Sequence, residues 1–356
     1  MIKITSQFFS SKFRSNWNNL HFSELIRKYQ LTGMVGGRSY SNSGASINLT
    51  VNGARIGSIH YADSTHTVLH CVDGPAVTYD RQCEYWVSGK LHRTDGPAVT
   101  TEASTRWYEN GLLHRTDGPA VVLADGSKYW CQNGLLHRDD GPAIEEGNNY
   151  EYVVRGKHHR VDGPSVVTSD DEYWYQNGLL HRVDGPARTH TDINRQEWWL
   201  NGKLHRVDGP AIVYPPDTKN YREEWYQNGK YHRLDGPAYT FGSTQRWYVN
   251  GSLHRDNGPA ITSDQGESWF KYGRLHRIDG PAYVIAGTQE WYLNGRRHRF
   301  AGPAIIRDTK KPKSVDYYYM NGVRLTKEQW LELQATPVKM TIAQLEEIVG
   351  HKLEIV

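Results

Sequence analysis

The sequence predicts an all-β fold: an elongated, twisted single-sheet array of about eleven 22-residue β-hairpin repeats, with small helical caps at both ends. Three observations predict it. The stretch Leu91–Ala98, Leu-His-Arg-Thr-Asp-Gly-Pro-Ala, recurs in variant form at spacings of 22 to 27 residues. Most copies follow an Asn-Gly pair, which favours a two-residue hairpin turn. Paired aromatic residues precede most of these turns. A fixed period of this length is typical of repeat arrays.

The recurring motif is read most easily from its histidine. The eleven copies place it at His70, His92, His114, His137, His159, His181, His205, His232, His254, His276 and His298. The Gly-Pro pair is present in every copy, Arg follows His in ten copies, and Asp precedes Gly in nine. Cys71 replaces the arginine once, and Asn257 and Ala301 replace the aspartate.

Residues 1–46 stand outside the repeat. Phe22–Leu31 is predicted to be a short helix, because its apolar residues fall on one helical face. Thr32–Ser46 is rich in Gly and Ser and is predicted to be a loop. Residues 47–63 are predicted to form a hairpin around Asn52-Gly53 that caps the open edge of the array.

Residues 64–322 form the predicted array, and one repeat illustrates its organisation. Gln196–Leu200 is predicted as one continuous strand, Asn201-Gly202 as a turn, and Ala211–Tyr214 as the returning strand. Pro210 marks the start of the second strand, because proline cannot donate to a β-ladder. Each repeat is therefore expected to be one hairpin, and successive hairpins are expected to pair into one sheet.

The aromatic residues form two rows that are expected to lie on opposite faces, because neighbouring strand residues alternate. The first row is uniform: Tyr85, Trp107, Trp130, Tyr152, Trp174, Trp198, Trp225, Trp247, Trp269, Trp291 and Tyr318. We predict that this row forms the core. The second row, which contains Trp199, is mixed in type, and part of it is predicted to be available for binding.

Residues 323–356 are predicted to be a C-terminal helical cap. Thr326 and Gln329 have the spacing of a capping box, which favours the start of a helix. A second capping box begins at Thr341, and the helix that follows is expected to end at Gly350. Lys352–Val356 is predicted to be a short strand.

The segment Trp198–His205, Trp-Trp-Leu-Asn-Gly-Lys-Leu-His, resembles the repeat of the MORN family. The inserted His-Arg-x-Asp-Gly-Pro-Ala motif distinguishes this chain as a variant of that type. The resemblance covers residues 64–325 and implies an elongated β-sheet used as an interaction scaffold. The C-terminal tail resembles tails of repeat proteins from phages and large viruses, which is a hint of phage or viral origin.

The motif invites two readings as a chemical site, and both are disfavoured. Equivalent histidines in neighbouring repeats are expected about 10 Å apart, whereas zinc requires ligand nitrogens at about 2.0–2.1 Å. General-base chemistry needs a single pocket and a nucleophile, and no Ser or Cys recurs beside the histidine. We therefore predict no metal, no cofactor and no enzymatic activity. The motif is interpreted as turn chemistry, in which Asp pairs with Arg and His bonds the next hairpin.

Composition narrows the remaining function classes. The net charge of +3 gives no strong field for nucleic acid or an acidic membrane. No transmembrane or signal segment is read from the sequence, and Cys71, Cys83 and Cys131 have no zinc or disulfide spacing. These features favour a cytoplasmic setting, the host cytoplasm if the protein is viral.

The function predicted from the sequence is a non-enzymatic protein-interaction scaffold or inhibitor, with a host protein as partner if the chain is viral. Recognition is assigned to the irregular repeats, whose unique loops and basic groups can specify a site. The predicted contact residues are Arg188, His190, Trp199, Tyr214, Lys219, Tyr221, Lys310, Lys311 and Lys313. Two alternatives stay open: a small-ligand binder or enzyme with its site in the N-terminal region or groove, and a nucleic-acid or lipid binder using basic loops. A homo-oligomer is compatible with each.

Overall fold

The computed structural model describes residues 35–41, 44–51, 54–62, 68–79, 81–215, 221–307 and 316–335. The chain divides into two compact units, residues 1–169 and 170–356. Both units are almost entirely β-structure, as predicted. The division falls inside the predicted array, and repeats of the same kind continue on each side of it. No helix among the described residues has the length and apolar character needed to cross a membrane.

The first unit contains one antiparallel sheet whose strands pair in chain order. These strands are Val35–Ser41, Gly44–Val51, Ala54–Tyr61, Val77–Tyr79, Gln82–Glu84, Val99–Thr100, Ser104–Arg106, Val121–Leu123, Lys128–Tyr129, Ile144–Glu146, Asn149–Glu151 and Val166–Val167. Four separate two-stranded hairpins accompany the sheet: Trp86–Val87 with Lys90–Leu91, Tyr108–Glu109 with Leu112–Leu113, Cys131–Gln132 with Leu135–Leu136, and Val153–Val154 with Lys157–His158.

The second unit repeats this plan. Its sheet strands are Asp171–Tyr173, Arg188–His190, Arg195–Glu197, Ile212–Val213, Arg222–Glu224, Tyr239–Phe241, Thr244–Arg246, Ile261–Ser263, Gly266–Ser268, Tyr283–Ile285, Thr288–Glu290 and Ile305–Ile306. Its hairpins are Tyr175–Gln176 with Leu179–Leu180, Trp199–Leu200 with Lys203–Leu204, Tyr226–Gln227 with Lys230–Tyr231, Tyr248–Val249 with Ser252–Leu253, Phe270–Lys271 with Arg274–Leu275, Tyr292–Leu293 with Arg296–Arg297, and Tyr318–Met320 with Val323–Leu325.

The N-terminal part of the sheet departs from one prediction. The hairpin predicted for residues 47–63 is present as Gly44–Val51 paired with Ala54–Tyr61. The preceding segment was predicted to be a loop, but it contains the strand Val35–Ser41, which pairs with Gly44–Val51. Glycine and serine weaken a strand without preventing one, and the edge offered by the hairpin supplies the missing hydrogen bonds. The helix predicted at Phe22–Leu31 lies outside the described residues.

Each repeat contributes two strand pairs, where one hairpin was predicted. The strand expected to run through Gln196–Leu200 is interrupted at Trp198, because its two backbone groups bond to different partners. The Trp198 N–H donates to the carbonyl of Ala211 in the sheet, at 2.8 Å. Its carbonyl accepts the N–H of His205 in the hairpin, at 3.0 Å. The chain therefore leaves the sheet at the first aromatic residue of the repeat and enters a separate hairpin.

The hairpin turns have the predicted chemistry. Asn201 and Gly202 both have positive φ, at 50° and 74°, as a two-residue primed turn requires. Backbone hydrogen bonds also join this hairpin to its neighbours in the array. The Gly202 N–H donates to Leu180 of the preceding hairpin at 2.8 Å, and the Arg206 N–H donates to Tyr226 of the next at 3.0 Å. Within each unit, consecutive hairpins are therefore linked to one another in chain order, as the strands of the sheet are.

The core prediction was wrong about the first aromatic row. Its rings in the described repeats are only partly buried. The fully buried positions are the residues after Gly-Pro: Ala76, Ala98, Ala120, Ala143, Ser165, Ala187, Ala211, Ala238, Ala260, Ala282 and Ala304, each 0% exposed. Members of the second row, such as Tyr108 and Cys131, are buried against the sheet in the first unit. The chain changes direction at each first-row residue, so the alternation of side chains along a strand does not continue to the second row. This explains why members of the second row are buried in the first unit while the first row is only partly buried.

Among the described residues, a short helix, Lys327–Ala335, follows the hairpin of Tyr318–Met320 and Val323–Leu325. The predicted capping box forms in both directions. The Thr326 N–H donates to Oε1 of Gln329 at 3.0 Å, and the Gln329 N–H donates to Oγ1 of Thr326 at 3.1 Å. The Trp330 ring lies 5.1 Å from that of Tyr318, which attaches the helix to the hairpin. The C-terminal cap is therefore helical here, and the elements predicted beyond residue 335 lie outside the described residues.

Candidate binding surfaces

The recurring loop is built around its arginine. Arg206 places its Cζ 4.0 Å above the Trp198 ring, and its Nη1 donates to the carbonyl of Pro210 at 3.3 Å. Its Nε donates to Oδ1 of Asp208 at 3.0 Å. A Cβ on Gly209 would lie 2.7 Å from the same Cζ, so the guanidinium requires glycine there. The arrangement combines a cation–π contact with charge-assisted hydrogen bonds.

The same arrangement recurs along both units. The guanidinium lies 3.6 to 4.1 Å above the first-row ring for Arg93, Arg115, Arg138, Arg160, Arg182, Arg206, Arg233, Arg255, Arg277 and Arg299. This contact explains why the first row is uniform in type without being a core. The row supplies flat π faces for arginine, and only Trp or Tyr occupies it in these repeats.

The histidine of the motif joins each loop to the next hairpin, as predicted. Nδ1 of His205 accepts the N–H of Asn228 at 3.2 Å, and Asn228 is the first residue of the following turn. Equivalent bonds of 3.0 to 3.3 Å involve His70, His92, His114, His137, His181, His232, His254, His276 and His298. The predicted bond from the motif histidine to the next hairpin is confirmed.

The aspartates of the motif are exposed on the loop surface. Eight of them accept the arginine Nε–H at 2.7 to 3.0 Å: Asp95, Asp117, Asp140, Asp162, Asp184, Asp208, Asp235 and Asp279. The hydrogen bond from arginine holds the pKa of each carboxyl below its usual range. A depressed folded-state pKa contributes stability above the unfolded pKa, and that contribution is lost as the pH falls through the folded value.

We therefore expect the protein to lose stability in acid as the aspartates of the motif become protonated. The melting temperature should be steady above about pH 5 and should fall below about pH 4, where unfolded Asp begins to take up protons. The variant Asp208→Asn/Asp235→Asn should lose less stability over that acid range than the parent, when both are followed by circular dichroism. Parallel pH curves for the two proteins would contradict this assignment of the acid sensitivity.

The loop tips carry an exposed apolar row that the sequence analysis missed. The residue between Arg and Asp is 52% to 82% exposed and apolar in seven copies: Val72, Val161, Val183, Val207, Leu234, Ile278 and Phe300. The other copies place Thr94, Thr116, Asp139 and Asp256 there. We call these positions the loop-tip row. The variable position of the motif was itself the signal, because Val, Leu, Ile or Phe is unexpected at the tip of a solvated turn.

A second exposed row lies on the hairpins, at the position after the turn glycine. It is basic at Lys90, Lys157, Lys203, Lys230, Arg274 and Arg296 and apolar at Leu112, Leu135 and Leu179. These side chains extend over the glycine of the next turn, as Lys203 does over Gly229, where an added Cβ would lie 3.7 Å from its Cβ. We call these positions the hairpin row.

Two of the predicted contact residues, Arg188 and Trp199, meet at one buried carboxylate. Glu197 is 1% exposed, and its Oε1 lies 3.7 Å from Nη1 of Arg188 and 2.6 Å from Nη2 of Arg195. Nε1 of Trp199 donates to its Oε2 at 2.8 Å. Arg188 and Glu197 are direct cross-strand partners. Arg188 and Trp199 are therefore close together, and both side chains contact the Glu197 carboxylate.

The neighbouring predicted residues are also engaged. Nδ1 of His190 contacts Oδ1 of Asp171, its direct cross-strand partner. Tyr214 lies beneath two guanidinium groups, 4.9 Å from Cζ of Arg195 and 4.2 Å from Cζ of Arg222, and its hydroxyl accepts from Arg222. This region is a charged and aromatic network on one face of the second sheet, and its internal pairing favours a structural role.

The remaining predicted residues are more peripheral. Tyr221 is partly exposed at 37%, and its hydroxyl donates to Oε1 of Glu223 at 2.7 Å. Lys219, Lys310, Lys311 and Lys313 lie outside the described residues. The structure therefore brings Arg188 and Trp199 together around Glu197, whereas it describes nothing of the four lysines.

Two of the repeats that contain the arginine depart from the regular loop. Asn257 and Ala301 replace the aspartate, and Arg255 and Arg299 keep only the ring contact and the bond to the proline carbonyl, at 3.2 and 3.1 Å. The glycines that follow take φ values of +141° and +142°, unlike the other glycines of the motif. Burial holds the pKa of the Arg299 guanidinium below its usual range, whereas the hydrogen bond that Arg93 donates to Asp95 raises the pKa of Arg93.

A pocket of about 520 Å³ adjoins the first of these departures. It is lined by the loops 233–236 and 254–257 and by Trp247, Val249 and Tyr272. Within the described ranges, no group of three or more His, Cys, Asp or Glu side chains could hold a metal ion.

No protein family, curated protein or solved structure matches this chain.

Proposed function

We propose that the chain is a non-enzymatic protein-binding scaffold and that its partner contacts the loop-tip row. The observation that carries the proposal is the exposure of large apolar side chains at one repeated position. In the second unit this position is apolar at Val183, Val207, Leu234, Ile278 and Phe300. Apolar groups placed repeatedly at the most exposed point of a turn gain nothing for the fold, and they offer contact area to a partner. The MORN-type resemblance, which we retain as a proposal, supports the same role.

The geometry favours an α-helical partner. Equivalent loop tips in consecutive repeats are separated by two strands, about 10 Å. Seven residues of an α-helix rise about 10.5 Å and return to the same face. An extended strand places same-face residues about 6.8 or 13.6 Å apart, which fits less well. The aspartates beside the tips, such as Asp184 and Asp208, are about four-fifths exposed and would favour basic flanking residues on the helix.

A synthetic peptide tests this proposal directly. The peptide should form an amphipathic helix with leucine at every seventh position and lysine beside it. We expect saturable binding by fluorescence anisotropy, and at least tenfold weaker binding to the variant Val183→Thr/Val207→Thr/Leu234→Thr. Threonine is suited to the position, because Thr94 and Thr116 occupy it in the first unit.

The matched control changes the hairpin row of the same repeats, as Leu179→Thr/Lys203→Thr/Lys230→Thr. This variant should bind the peptide as the parent does, with an unchanged unfolding curve. Equal affinity of parent and loop-tip variant, or absence of binding to the parent, would contradict the proposal. Affinity purification with mass spectrometry, compared between parent and loop-tip variant, would then identify the natural partner, a host protein if the chain is viral.

A second candidate is a binder of nucleic acid or anionic lipid through the hairpin row. The exposed cations Lys203, Lys230, Arg274 and Arg296 support it. The two candidates differ in salt dependence, because contacts to phosphates weaken steeply with ionic strength. Retention of DNA or anionic vesicles that is lost in the hairpin-row variant and in moderate salt would favour this second function. The free cysteines Cys71, Cys83 and Cys131 support the cytoplasmic setting that we propose for either function.

A further inference from the structure

Arg255 and Arg299 of the second unit lack the carboxylate that the regular loop provides, and Arg255 lines the pocket. In the regular loops, Nε donates to an aspartate two residues further along, as Arg233 does to Asp235 at 2.9 Å. Arg255 has Asn257 at that position, and no carboxylate contacts its guanidinium among the described residues. Its Cζ nevertheless keeps the regular place, 3.9 Å above the Trp247 ring. The guanidinium is thus held in the orientation that elsewhere receives a carboxylate.

The surroundings of Arg255 form the pocket of about 520 Å³. The preceding loop, 233–236, lines it together with Trp247 and Val249. Tyr272 also lines the pocket, and its ring stacks on His254 at 4.2 Å with an interplanar angle of 10°. A carboxylate that reached Arg255 would therefore bring the rest of its molecule beside the rings of Trp247 and Tyr272, in a lining that also contains polar groups.

Tyr272 is an independent sign that this pocket is used. It occupies the first turn position of its hairpin with φ of +47°, a region that bulky residues rarely adopt. Asn takes this position in most of the other hairpins, as at Asn250 and Asn294. The tyrosine ring is also 67% exposed, so burial does not explain its presence. Strain of this kind tends to persist where a functional surface requires the side chain.

The charges around the pocket select the type of ligand. Arg233 is paired with Asp235, and Asp256 lies 3.5 Å from Nε2 of His254. Arg255 is thus the lining arginine without an acidic partner. A phosphate would carry additional negative charge close to Asp235 and Asp256. A carboxylate needs only the planar fork of one guanidinium, which it can engage with two parallel hydrogen bonds.

We propose that this pocket binds a carboxylate-bearing ligand, with Arg255 as its anchor and the Tyr272 ring beside it. The carboxylate takes the place that Asp fills in the regular loops. It can belong to a free carboxylic acid or to an acidic side chain of a protein, and the chemistry at Arg255 is the same. The proposal is independent of the helix-binding function proposed for the loop-tip row, because it rests on the missing aspartate and the pocket.

Nuclear magnetic resonance of the arginine Nε–Hε groups tests the proposal on the full chain. The probes are succinate, a short peptide containing one aspartate, and inorganic phosphate. We expect saturable shifts of the Arg255 resonance with succinate, with the peptide, or with both, and weaker effects of phosphate. A stronger response to succinate identifies a free acid as the source, and a stronger response to the peptide identifies a protein side chain.

Two variants make the test specific. Asn257→Asp restores the regular loop and should weaken carboxylate binding at least tenfold, because the internal carboxylate occupies Arg255. Asp208→Asn opens Arg206 in a repeat whose next turn carries Asn228, and it should bind at least tenfold more weakly than the Arg255 pocket. The proposal is overturned if neither carboxylate probe shifts Arg255, if Asn257→Asp binds as the parent does, or if the opened Arg206 binds equally well.

Discussion

Gly209→Ala should lower the free energy of unfolding by about 1 to 3 kcal/mol, which is the usual cost of forcing atoms into a packed site. The new Cβ would lie 2.7 Å from Cζ and 2.9 Å from Nε of Arg206. The guanidinium would have to leave the Trp198 ring and give up its bonds to Asp208 and Pro210. Chemical denaturation of parent and variant measures the loss.

The chain contains a matched control for this prediction. The first repeat has Cys71 in place of arginine, and a Cβ on Gly74 would meet nothing within 4 Å. Gly74→Ala should therefore leave stability nearly unchanged, within about 0.5 kcal/mol. If both alanine variants lose stability equally, the cause is the backbone of the loop and the contact with arginine is irrelevant.

A double change separates the two parts of the effect. Arg206→Ala removes the guanidinium and its hydrogen bonds, and it should cost stability by itself. In the Arg206→Ala background, Gly209→Ala should add little, because the clashing group is absent. The losses of unfolding free energy caused by the two changes should therefore be strongly non-additive, as expected for residues in direct contact. Additive losses would show that Gly209 and Arg206 act independently.

The sequence predicted the local chemistry of each repeat well, because that chemistry depends on residues close together in the chain. Asn201 and Gly202 predicted a turn that needs two positive φ angles, and the turn has them. The roles of His205 and Asp208 followed from their recurrence in a tight loop, and their bonds are those expected. Thr326 and Gln329 likewise predicted the start of the C-terminal helix.

The path of the chain through Trp198 was not predictable by the same reasoning. Period-2 alternation assumes an uninterrupted strand, and nothing in Gln196–Leu200 marks a break. The break is set by hydrogen bonds to Ala211 and His205, which lie in other elements. Because the chain turns there, the burial of the two aromatic rows differs from what the alternation of side chains along one strand predicts. Arginine stacking on the first row could have been suspected, since both residues recur with the same period.

The candidate surfaces show a similar limit. The basic groups of the irregular repeats predicted a contact at Arg188, but the sequence could not show that Arg188 would pair with Glu197. The loop-tip row was not predicted, because the invariant residues of the motif do not show that the variable position is exposed. Val183, Val207 and Leu234 occupy the variable position, where an apolar residue is informative only after the loop is known to be exposed.

The buried carboxylate of Glu197 supports the largest effect that we expect. Glu197→Ala should lower the free energy of unfolding by about 3 to 5 kcal/mol, because it leaves partly buried cations without their counter-charge. Arg195 would lose its contact of 2.6 Å, Arg188 its weaker pairing at 3.7 Å, and Trp199 the acceptor for its Nε1–H. Denaturant unfolding of the variant measures the effect.

Two further variants determine what this network does. Glu172 is exposed on the strand Asp171–Tyr173, and Glu172→Ala should change stability by no more than about 0.5 kcal/mol. Arg188→Val should cost less than about 1 kcal/mol, because Glu197 keeps Arg195 and Trp199, and the equivalent position is apolar at Ile212. A loss near that of Glu197→Ala would show that Arg188 is the essential counter-charge. If Arg188→Val stays as stable as the parent but no longer retains the natural partner, Arg188 belongs to the binding surface, as the sequence first suggested, and the loop-tip row does not account for recognition alone.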